Sequence, residues 1–244
     1  MITDILTIAW KEWKEIFSQR GRLGGVRAIL IFVAVFGVFQ PWQFGRSWVE
    51  SPSGLAMWAW VPLFLVMGVI ADSFAGERER HTLETLLASR LSDRAILLGK
   101  IAAAVGYALS VTLLSLAAGL VTVNVAHGRG EILMYSPATA GGILTVGFLG
   151  ALLAAAIGVL VSLRAPTVRY AQQTLSIGML VLVFGTAFGL QALPAEWRAG
   201  ISRFLTSAGP TRVLVFALFV VALVDFATLL IAMARFRRSR LILD

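Results

Sequence analysis

A charged segment between two uncharged runs, Asp72 to Lys100, constrains this chain more than any other feature. It holds five of the 13 acidic residues and five of the 21 basic residues. The flanking runs, residues 55–71 and 101–126, contain no Asp, Glu, Lys or Arg, and each is long enough for a helix to cross a bilayer. Charged side chains need water, so the segment must lie at one face of a membrane.

The composition supports a membrane-embedded fold. The chain is 58% hydrophobic and only 14% charged, with a mean hydropathy of +0.85, whereas soluble domains carry about a quarter charged residues. The absence of cysteine excludes disulfides and thiolate chemistry. We predict an all-α polytopic membrane protein, in one domain over residues 1–244, with six spans. The predicted spans are residues 26–44, 55–73, 95–124, 137–163, 171–190 and 213–234.

Two further segments are too polar to span but carry apolar residues at helical spacing. Residues 1–25 are predicted to form an amphipathic helix in the plane of the membrane interface. Trp10 and Trp13 are of the residue type that settles at the headgroup level. One helix face would carry the apolar residues Ile2, Ile5, Leu6, Ala9, Trp13, Ile16 and Phe17. The alternative is a soluble extension of the first span. Residues 191–212 are expected to form a short helix against the other face of the membrane.

The basic residues indicate the orientation. With six spans both termini lie on one side, and 16 of the 21 Lys and Arg residues fall on that side against five on the other. Because cytoplasmic loops are enriched in Lys and Arg, the termini and the charged segment are predicted to be cytoplasmic, in a multi-pass protein of the cytoplasmic (inner) membrane. The net charge of +8 is thereby explained, and no nucleic-acid partner is predicted.

Enzyme motifs are missing from the sequence. Gly99-Lys100 is followed by Ile101 and lacks the upstream glycine of a nucleotide-binding loop. The two histidines, His81 and His127, are predicted on opposite sides of the membrane, so neither a metalloprotease pair nor a hydrolase base is available inside it. We expect no catalytic residue, no metal site and no cofactor bound by this chain.

Asp225 is the one ionisable residue placed deep within a predicted span. A carboxylate at the helix centre costs about 3 kcal/mol on insertion scales, so it should face protein or a wet cavity. It is a candidate ion or proton site. The alternative is a protonated or hydrogen-bonded structural aspartate.

Part of the charged segment resembles a known family. Residues 76–87 read Gly-Glu-Arg-Glu-Arg-His-Thr-Leu-Glu-Thr-Leu-Leu, and Gly99-Lys100 follows. This is similar to the loop between spans two and three of the ATP-binding-cassette (ABC) type-two exporter permeases, which commonly reads Glu-x-Glu-x-Gly-Thr-Leu-Glu-x-Leu-Leu, then Pro, then Gly-Lys. His81 stands where glycine is usual, and Arg90 stands about where the proline is usual. Residues 162–173 resemble the family's loop between spans four and five.

The resemblance implies a function. In this family the loop forms a coupling helix, here residues 77–91, that docks on a separate ABC ATPase subunit, which binds the ATP and magnesium. Two permeases, here predicted as a homodimer, and two ATPases form the transporter. Leu83, Leu86, Leu87 and Leu91 share one helix face, which would fill the ATPase groove or pack under the permease. The residues matched to the docking motif are Glu77, Glu79, Thr82, Leu83, Glu84, Leu86 and Leu87. The alternative is a solvated loop that only anchors topology.

The resemblance also implies a pathway between two copies, lined mainly by spans one, two and five. The candidate lining residues are Phe36, Phe39, Phe64, Met67, Phe184 and Phe188. A competing hypothesis is a secondary transporter or ion channel that uses Asp225 and needs no ATPase. A membrane-embedded enzyme and a non-transporting anchor for an ATPase are the remaining alternatives.

Overall fold

The fold is helical throughout the part of the chain that the structure, a computed structural model, describes: residues 1–18, 21–208 and 210–236. Arg237, Arg238 and Arg240, which are among the basic residues counted above, lie outside the described residues. The helices are α1 (Ile2–Ser18), α2 (Gly21–Val33), α3 (Gln40–Phe44), α4 (Ser47–Glu50), α5 (Pro52–Glu79), α6 (Leu83–Ala88), α7 (Asp93–His127), α8 (Pro137–Ser162), α9 (Val168–Ala192), α10 (Ala195–Ala208) and α11 (Pro210–Arg235).

Five segments of the described chain are long and apolar enough to cross a membrane. They are Val26–Phe44, Trp60–Glu79, Asp93–His127, Pro137–Ser162 and Arg212–Arg235, and they correspond to five of the six predicted spans. The predicted span 171–190 is helical as part of α9 but is not among these five, so the sixth crossing stays a prediction.

The first span is not a uniform α-helix. Residues Ala34–Phe39 form a π-helical turn between α2 and α3. Pro41 has no N–H to donate to the carbonyl of Gly37 one turn earlier, and the hydroxyl of Thr122 donates to that carbonyl instead, at 2.9 Å. Pro41 therefore does not end the helical run, which continues to Phe44. The π-helical turn lies where α7 supplies the missing donor.

The centre of the fold is the crossing of α5 and α8, the most extensive contact between helices. A Cβ on Gly158 of α8 would lie 2.2 Å from Cγ2 of Ile70 on α5, so only glycine allows this approach. Pro62 of α5 packs against Gly147 of α8, and α5 remains helical through the proline. α11 also packs against α8.

Helix α1 packs along α7 and is part of the same core. Ile8 is 2% exposed, and a Cβ on Gly99 would lie 2.7 Å from its side chain. Ile2, Leu6 and Trp10 point away from the bundle and are more than 60% exposed. The predicted amphipathic helix is thus present. It carries a second apolar stripe that no described residue covers, as a helix in a membrane interface would.

Serine side chains cap the first turns of two long helices, α7 and α8. Ser92 accepts a hydrogen bond from the N–H of Ala95 at the start of α7, and Ser136 accepts one from Thr139 at the start of α8. Pro137 occupies the first turn of α8, as predicted. The 35 residues of α7 make a helix about 52 Å long, longer than a bilayer is thick.

Helices α9 and α11 leave broad apolar faces uncovered. Phe184, Phe188 and Val181 of α9 and Phe216 and Phe219 of α11 are each more than half exposed. Soluble proteins rarely expose such contiguous apolar surface. Lipid or another membrane protein is expected to cover it.

Candidate functional site at the charged segment

The charged segment is built from the end of α5, a tight turn, α6 and the start of α7. Helix α5 continues as far as Glu79, and His81 then adopts a left-handed backbone with φ of 56°. This conformation suits glycine, which the resembling permeases usually carry at the matching position. His81 therefore adopts a backbone conformation that a glycine would adopt with less strain.

The helix that follows is shorter than predicted. A helix over residues 77–91 was expected, whereas α6 covers only Leu83–Ala88. The cause is the turn at His81, which separates the end of α5 from α6. Glu77 and Glu79 therefore belong to the spanning helix α5 and not to α6.

The leucine face of α6 packs onto the chain itself. Leu83 and Leu87 are 8% and 5% exposed and belong to the same core cluster as Ile8 and Ile96. Leu86 and Leu91 are partly buried against that cluster. Of the two alternatives left open by the sequence, packing under the bundle is the one observed. The surface that α6 offers to solvent consists of Glu84, Thr85 and Ala88.

A buried ion-pair network anchors the segment. Nζ of Lys100 lies 2.7 Å from Oε1 of Glu12 and 3.3 Å from Oε1 of Glu77, and it also donates to the carbonyl of Ser73 at 2.8 Å. The side chains of Lys100 and Glu77 are 1% and 3% exposed. The network therefore joins α1, α5 and α7 through charges that water barely reaches.

Two further groups complete the network. Lys11 lies 3.1 Å from Oε1 of Glu77 and 3.1 Å from Oε1 of Glu15, and the hydroxyl of Thr82 donates to Glu77. Burial lowers the pKa of Lys11, but the neighbouring carboxylates of Glu77, Glu15 and Glu12 outweigh it, so the net pKa is raised. Lys11 consequently stays charged at neutral pH.

The same carboxylates could in principle hold a metal ion. Oxygen atoms of Glu12, Glu15 and Glu77 lie within 4.8 Å of one another. The ammonium groups of Lys11 and Lys100, however, already contact these oxygens. Their charge supplies what a cation would, so the arrangement fits an ion-pair network better than a metal site.

A second set of hydrogen bonds ties the charged segment to the α8–α9 connection. The guanidinium of Arg78 donates to the carbonyls of Leu163 and Ala165. Glu79 accepts a hydrogen bond of 2.9 Å from the N–H of Val168, at the first turn of α9. A carboxylate there also suits the dipole of α9.

Ser162 links α8 to α5 below this connection. Its hydroxyl oxygen accepts from the N–H groups of Phe74 and Ala75, at 3.1 and 3.0 Å, and donates to the carbonyl of Ala71 at 3.0 Å. Ser162 is fully buried. The two stretches that resemble permease loops are thus in direct contact.

The structure divides the predicted docking residues into two groups. Glu84 lies on the exposed face of α6, and Glu79 is exposed while capping α9. Glu77, Leu83 and Leu87 are buried. Thr82 donates to Glu77, and Leu86 is partly buried.

Several residues of the site were not singled out from the sequence. Glu12, Arg78, Lys100 and Ser162 carry its charged and polar contacts. Lys100 was visible as the end of the Gly-Lys pair, but nothing in its neighbourhood signalled burial. Glu12 lies 88 residues away from its partner, which spacing within a helix cannot reveal.

Asp225 does not belong to this site. It lies in α11 and is 2% exposed, and neither carboxylate oxygen has a hydrogen-bond partner within residues 1–18, 21–208 and 210–236. Its side chain is thus buried, and its role as an ion or proton site stays a prediction. The alternative of a hydrogen-bonded aspartate finds no partner in the described part of this chain.

The six candidate pathway residues differ in exposure and contacts. Phe36 stacks on Phe32 with ring centroids 4.5 Å apart, and Met67 is partly buried against the core. Phe39, Phe64, Phe184 and Phe188 are more than half exposed, and the last two stack on each other at 5.9 Å. Their role in a pathway stays a prediction.

Comparison with known proteins gives one match. The family described as "ABC-2 family transporter protein" matches residues 52–236, which is more than half of the chain and includes the whole charged segment. No curated protein matches the sequence.

Proposed function

The chain belongs to the ABC-2 family of transporter proteins, and on that premise we propose that it is the membrane-spanning permease subunit of an ABC exporter. In this proposal a separate ATPase subunit binds ATP and magnesium and hydrolyses the nucleotide. The permease moves a substrate outward across the cytoplasmic membrane. Its multi-pass helical fold and family support the permease role, and the exposed face of α6 supports docking of the ATPase.

The observation that carries the proposal is the division of α6 into two faces. Leu83 and Leu87 hold α6 against the bundle, while Glu84 and Thr85 project into solvent. A six-residue helix is too short to be stable by itself, so its position depends on this packing. Movement of a partner that contacts Glu84 would consequently displace α6 together with the core to which it is fixed.

The contacts of the charged segment would transmit a displacement of α6 to the spanning helices. Lys100 and Glu77 join the ends of α5 and α7, and Arg78 and Glu79 join α5 to the start of α9. Displacing α6 would move these ends together, because a buried ion pair strongly resists separation. Such coupled helix movement is a common way to switch between two states.

The complete exporter is proposed to contain two permease chains and two ATPase subunits. The exposed apolar faces of α9 and α11 offer surfaces for a second copy and for lipid. Both termini and α6 are placed on the cytoplasmic side, on the strength of the distribution of Lys and Arg.

Charge reversal on α6 tests the proposal. Glu84→Arg should abolish stimulation of the ATPase by the permease in proteoliposomes, while the protein still inserts and purifies. Glu196→Arg introduces the same charge change at an exposed site on α10 and should have no effect. Leu83→Glu is a poor probe, since Leu83 is buried and its loss would disturb the fold. Normal stimulation by the Glu84→Arg variant would contradict the proposal.

A second candidate is a secondary transporter or channel, and it is favoured by Asp225, which is buried and has no hydrogen-bond partner among the described residues. The two proposals differ in one measurable requirement. An exporter driven by an ATPase stops when nucleotide is withdrawn and tolerates Asp225→Asn. A carrier that uses Asp225 runs without nucleotide and fails in that variant.

A further inference from the structure

Helix α11 carries an apolar stripe that ends in an arginine. Val224, Ile231 and Arg235 are seven and four residues apart, which places them on one face of the helix. Val224 and Ile231 are 44% and 49% exposed, and Arg235 is exposed as well. At about 1.5 Å per residue the stripe is about 16 Å long, and one leaflet supplies about 15 Å of the hydrocarbon core of a bilayer. With the stripe against one leaflet, the guanidinium group would lie at the depth of the lipid headgroups.

The end of α11 is fixed to the bundle by Phe236. This residue is 2% exposed, and the centroid of its ring lies 5.0 Å from that of Phe74 on α5. The N–H of Phe74 in turn donates to the hydroxyl of Ser162 at the end of α8. Arg164 follows Ser162 by two residues. Arg235 and Arg164 therefore belong to the same end of the bundle.

The side chain of Arg164 is left free by the contacts of the α8–α9 connection. Arg78 donates to the carbonyls of Leu163 and Ala165, on either side of it, and Arg164 itself is exposed. Within residues 1–18, 21–208 and 210–236, the guanidinium groups of Arg164 and Arg235 make no ion pair and no hydrogen bond. Ile157, seven residues before Arg164, is 41% exposed, so this arginine also ends an apolar surface.

The charge at this end of the bundle is positive. The carboxylate tied to the α8–α9 connection is that of Glu79, and it already accepts the N–H of Val168 at 2.9 Å. Arg169, in the first turn of α9, is a further exposed cation. The sequence after Phe236 adds three more arginines and no acidic residue before Asp244. An anionic ligand is therefore expected here.

The neighbouring apolar stripe narrows the choice of anion. Arginine binds phosphate groups through charge-assisted hydrogen bonds, and basic residues at the end of a span attract anionic lipids. A soluble acidic protein would satisfy the arginines but would not cover the stripe. In a homodimer the same surface of each copy meets its equivalent, so a second copy would bring like charges together. A phospholipid supplies both the phosphate and the hydrocarbon.

We propose that the end of α11 and the α8–α9 connection bind anionic phospholipids. Their phosphates would accept hydrogen bonds from Arg235 and Arg164, and an acyl chain would lie along Val224 and Ile231. This binding does not depend on the proposed export function, because this chain alone would make every contact.

Lipid selection by the full chain tests the proposal. The chain is reconstituted in bilayers of equal parts phosphatidylglycerol and phosphatidylcholine with the same acyl chains. It is then extracted in neutral detergent, and native mass spectrometry counts the lipids that it retains. At about fivefold for each arginine at the headgroups, the retained lipid should contain at least about tenfold more phosphatidylglycerol than phosphatidylcholine. Equal retention of the two lipids would overturn the proposal.

Variants locate the bound lipid. Arg235→Gln and Arg164→Gln should each lower the ratio of retained phosphatidylglycerol to phosphatidylcholine about fivefold. The melting temperature should not change, since neither guanidinium group has a partner in the described chain to lose. Arg90→Gln is the matched control, because Arg90 is also exposed but follows the short helix α6 and not a spanning helix. An equal effect of Arg90→Gln would show diffuse attraction to the whole basic surface and would refute the assignment.

Two further measurements separate charge from structure and lipid from free phosphate. Arg235→Lys should keep most of the selection, because lysine also binds phosphate as a point charge; a loss as large as that of Arg235→Gln would contradict the proposed contact. Excess glycerol 3-phosphate, which has no acyl chain, should not displace phosphatidylglycerol. Displacement would assign the arginines to a soluble phosphate and overturn the lipid proposal. No ATPase or nucleotide is present, so this test and the stimulation assay of Glu84→Arg can fail independently.

Discussion

Lys100 is the residue whose removal should expose the role of the buried network most clearly. Its ammonium group has three acceptors, and the side chains of Lys100 and Glu77 are 1% and 3% exposed. Lys100→Met keeps the length and the apolar stem but leaves Glu12 and Glu77 without their shared cation. Breaking a buried pair in this way costs about 3–5 kcal/mol. Lys11 still contacts Glu77 from a more exposed position. The expected loss in free energy of unfolding is therefore at the lower end of this range.

The assay is unfolding of the purified chain in mixed micelles, with the free energy of unfolding as the readout. Lys14→Met is the matched control, because Lys14 is exposed and lies over the Trp10 ring at 5.2 Å. This variant should lose about 1 kcal/mol or less in free energy of unfolding. Adding Glu77→Gln to Lys100→Met should recover part of the loss, with a coupling energy of about 1–3 kcal/mol. A Lys100→Met variant as stable as the Lys14 control, or strictly additive effects in the double variant, would refute this reasoning.

Three further predictions follow from the contacts. Ser162→Ala should destabilise the chain by about 1–3 kcal/mol in the same assay, because two α5 N–H groups and one carbonyl lose a buried partner; Thr174→Ala, which loses only an exposed bond within α9, should not. His81→Gly should stabilise the chain by about 1 kcal/mol, since glycine adopts the left-handed backbone without strain. A destabilised variant would show that the contacts of the imidazole outweigh that strain. Asp225→Asn should leave ATP-dependent transport intact and stability equal or higher, because a neutral amide is less costly to bury than an unpaired carboxylate; abolished transport would make Asp225 part of the mechanism.

The long apolar helices could be predicted from the sequence because hydropathy and capping are local signals. The first, second, third, fourth and sixth predicted spans coincide with helices of membrane-spanning length. Ser92 caps α7, and α8 begins at Pro137, where the predicted span begins; such signals depend on residues only a few positions apart. Pro41 lies within the first span, which continues to Phe44 because a hydroxyl from α7 replaces the missing hydrogen bond.

The interior of the site could not be predicted in the same way. The sequence shows that Glu77, Lys100 and Glu12 are charged, and charged residues near the ends of spans are expected to face water. Their burial depends on α1 returning to α7, a contact between residues 88 positions apart. A single sequence contains no signal for such a pairing.

The predicted bounds of the coupling helix were wrong for a related reason. Residues 77–91 have helix-compatible spacing, but the left-handed residue at His81 divides them. Histidine gives little local warning of this conformation, although its replacement of a glycine in the resembling motif was visible. The leucine pattern identified a face correctly, while its partner proved to be the core of the same chain.

Site-specific cross-linking from α6 tests the central claim most directly. The chain has no cysteine, so Glu84→Cys gives a single reactive site on the exposed face of α6. We predict that a thiol-tethered photocrosslinker at this position captures the ATPase subunit in native membranes, and that Ile132→Cys, 86% exposed near the other end of α7, does not. Capture from position 132 and not from 84, or labelling of position 84 by a membrane-impermeant reagent applied from outside the cell, would contradict the account.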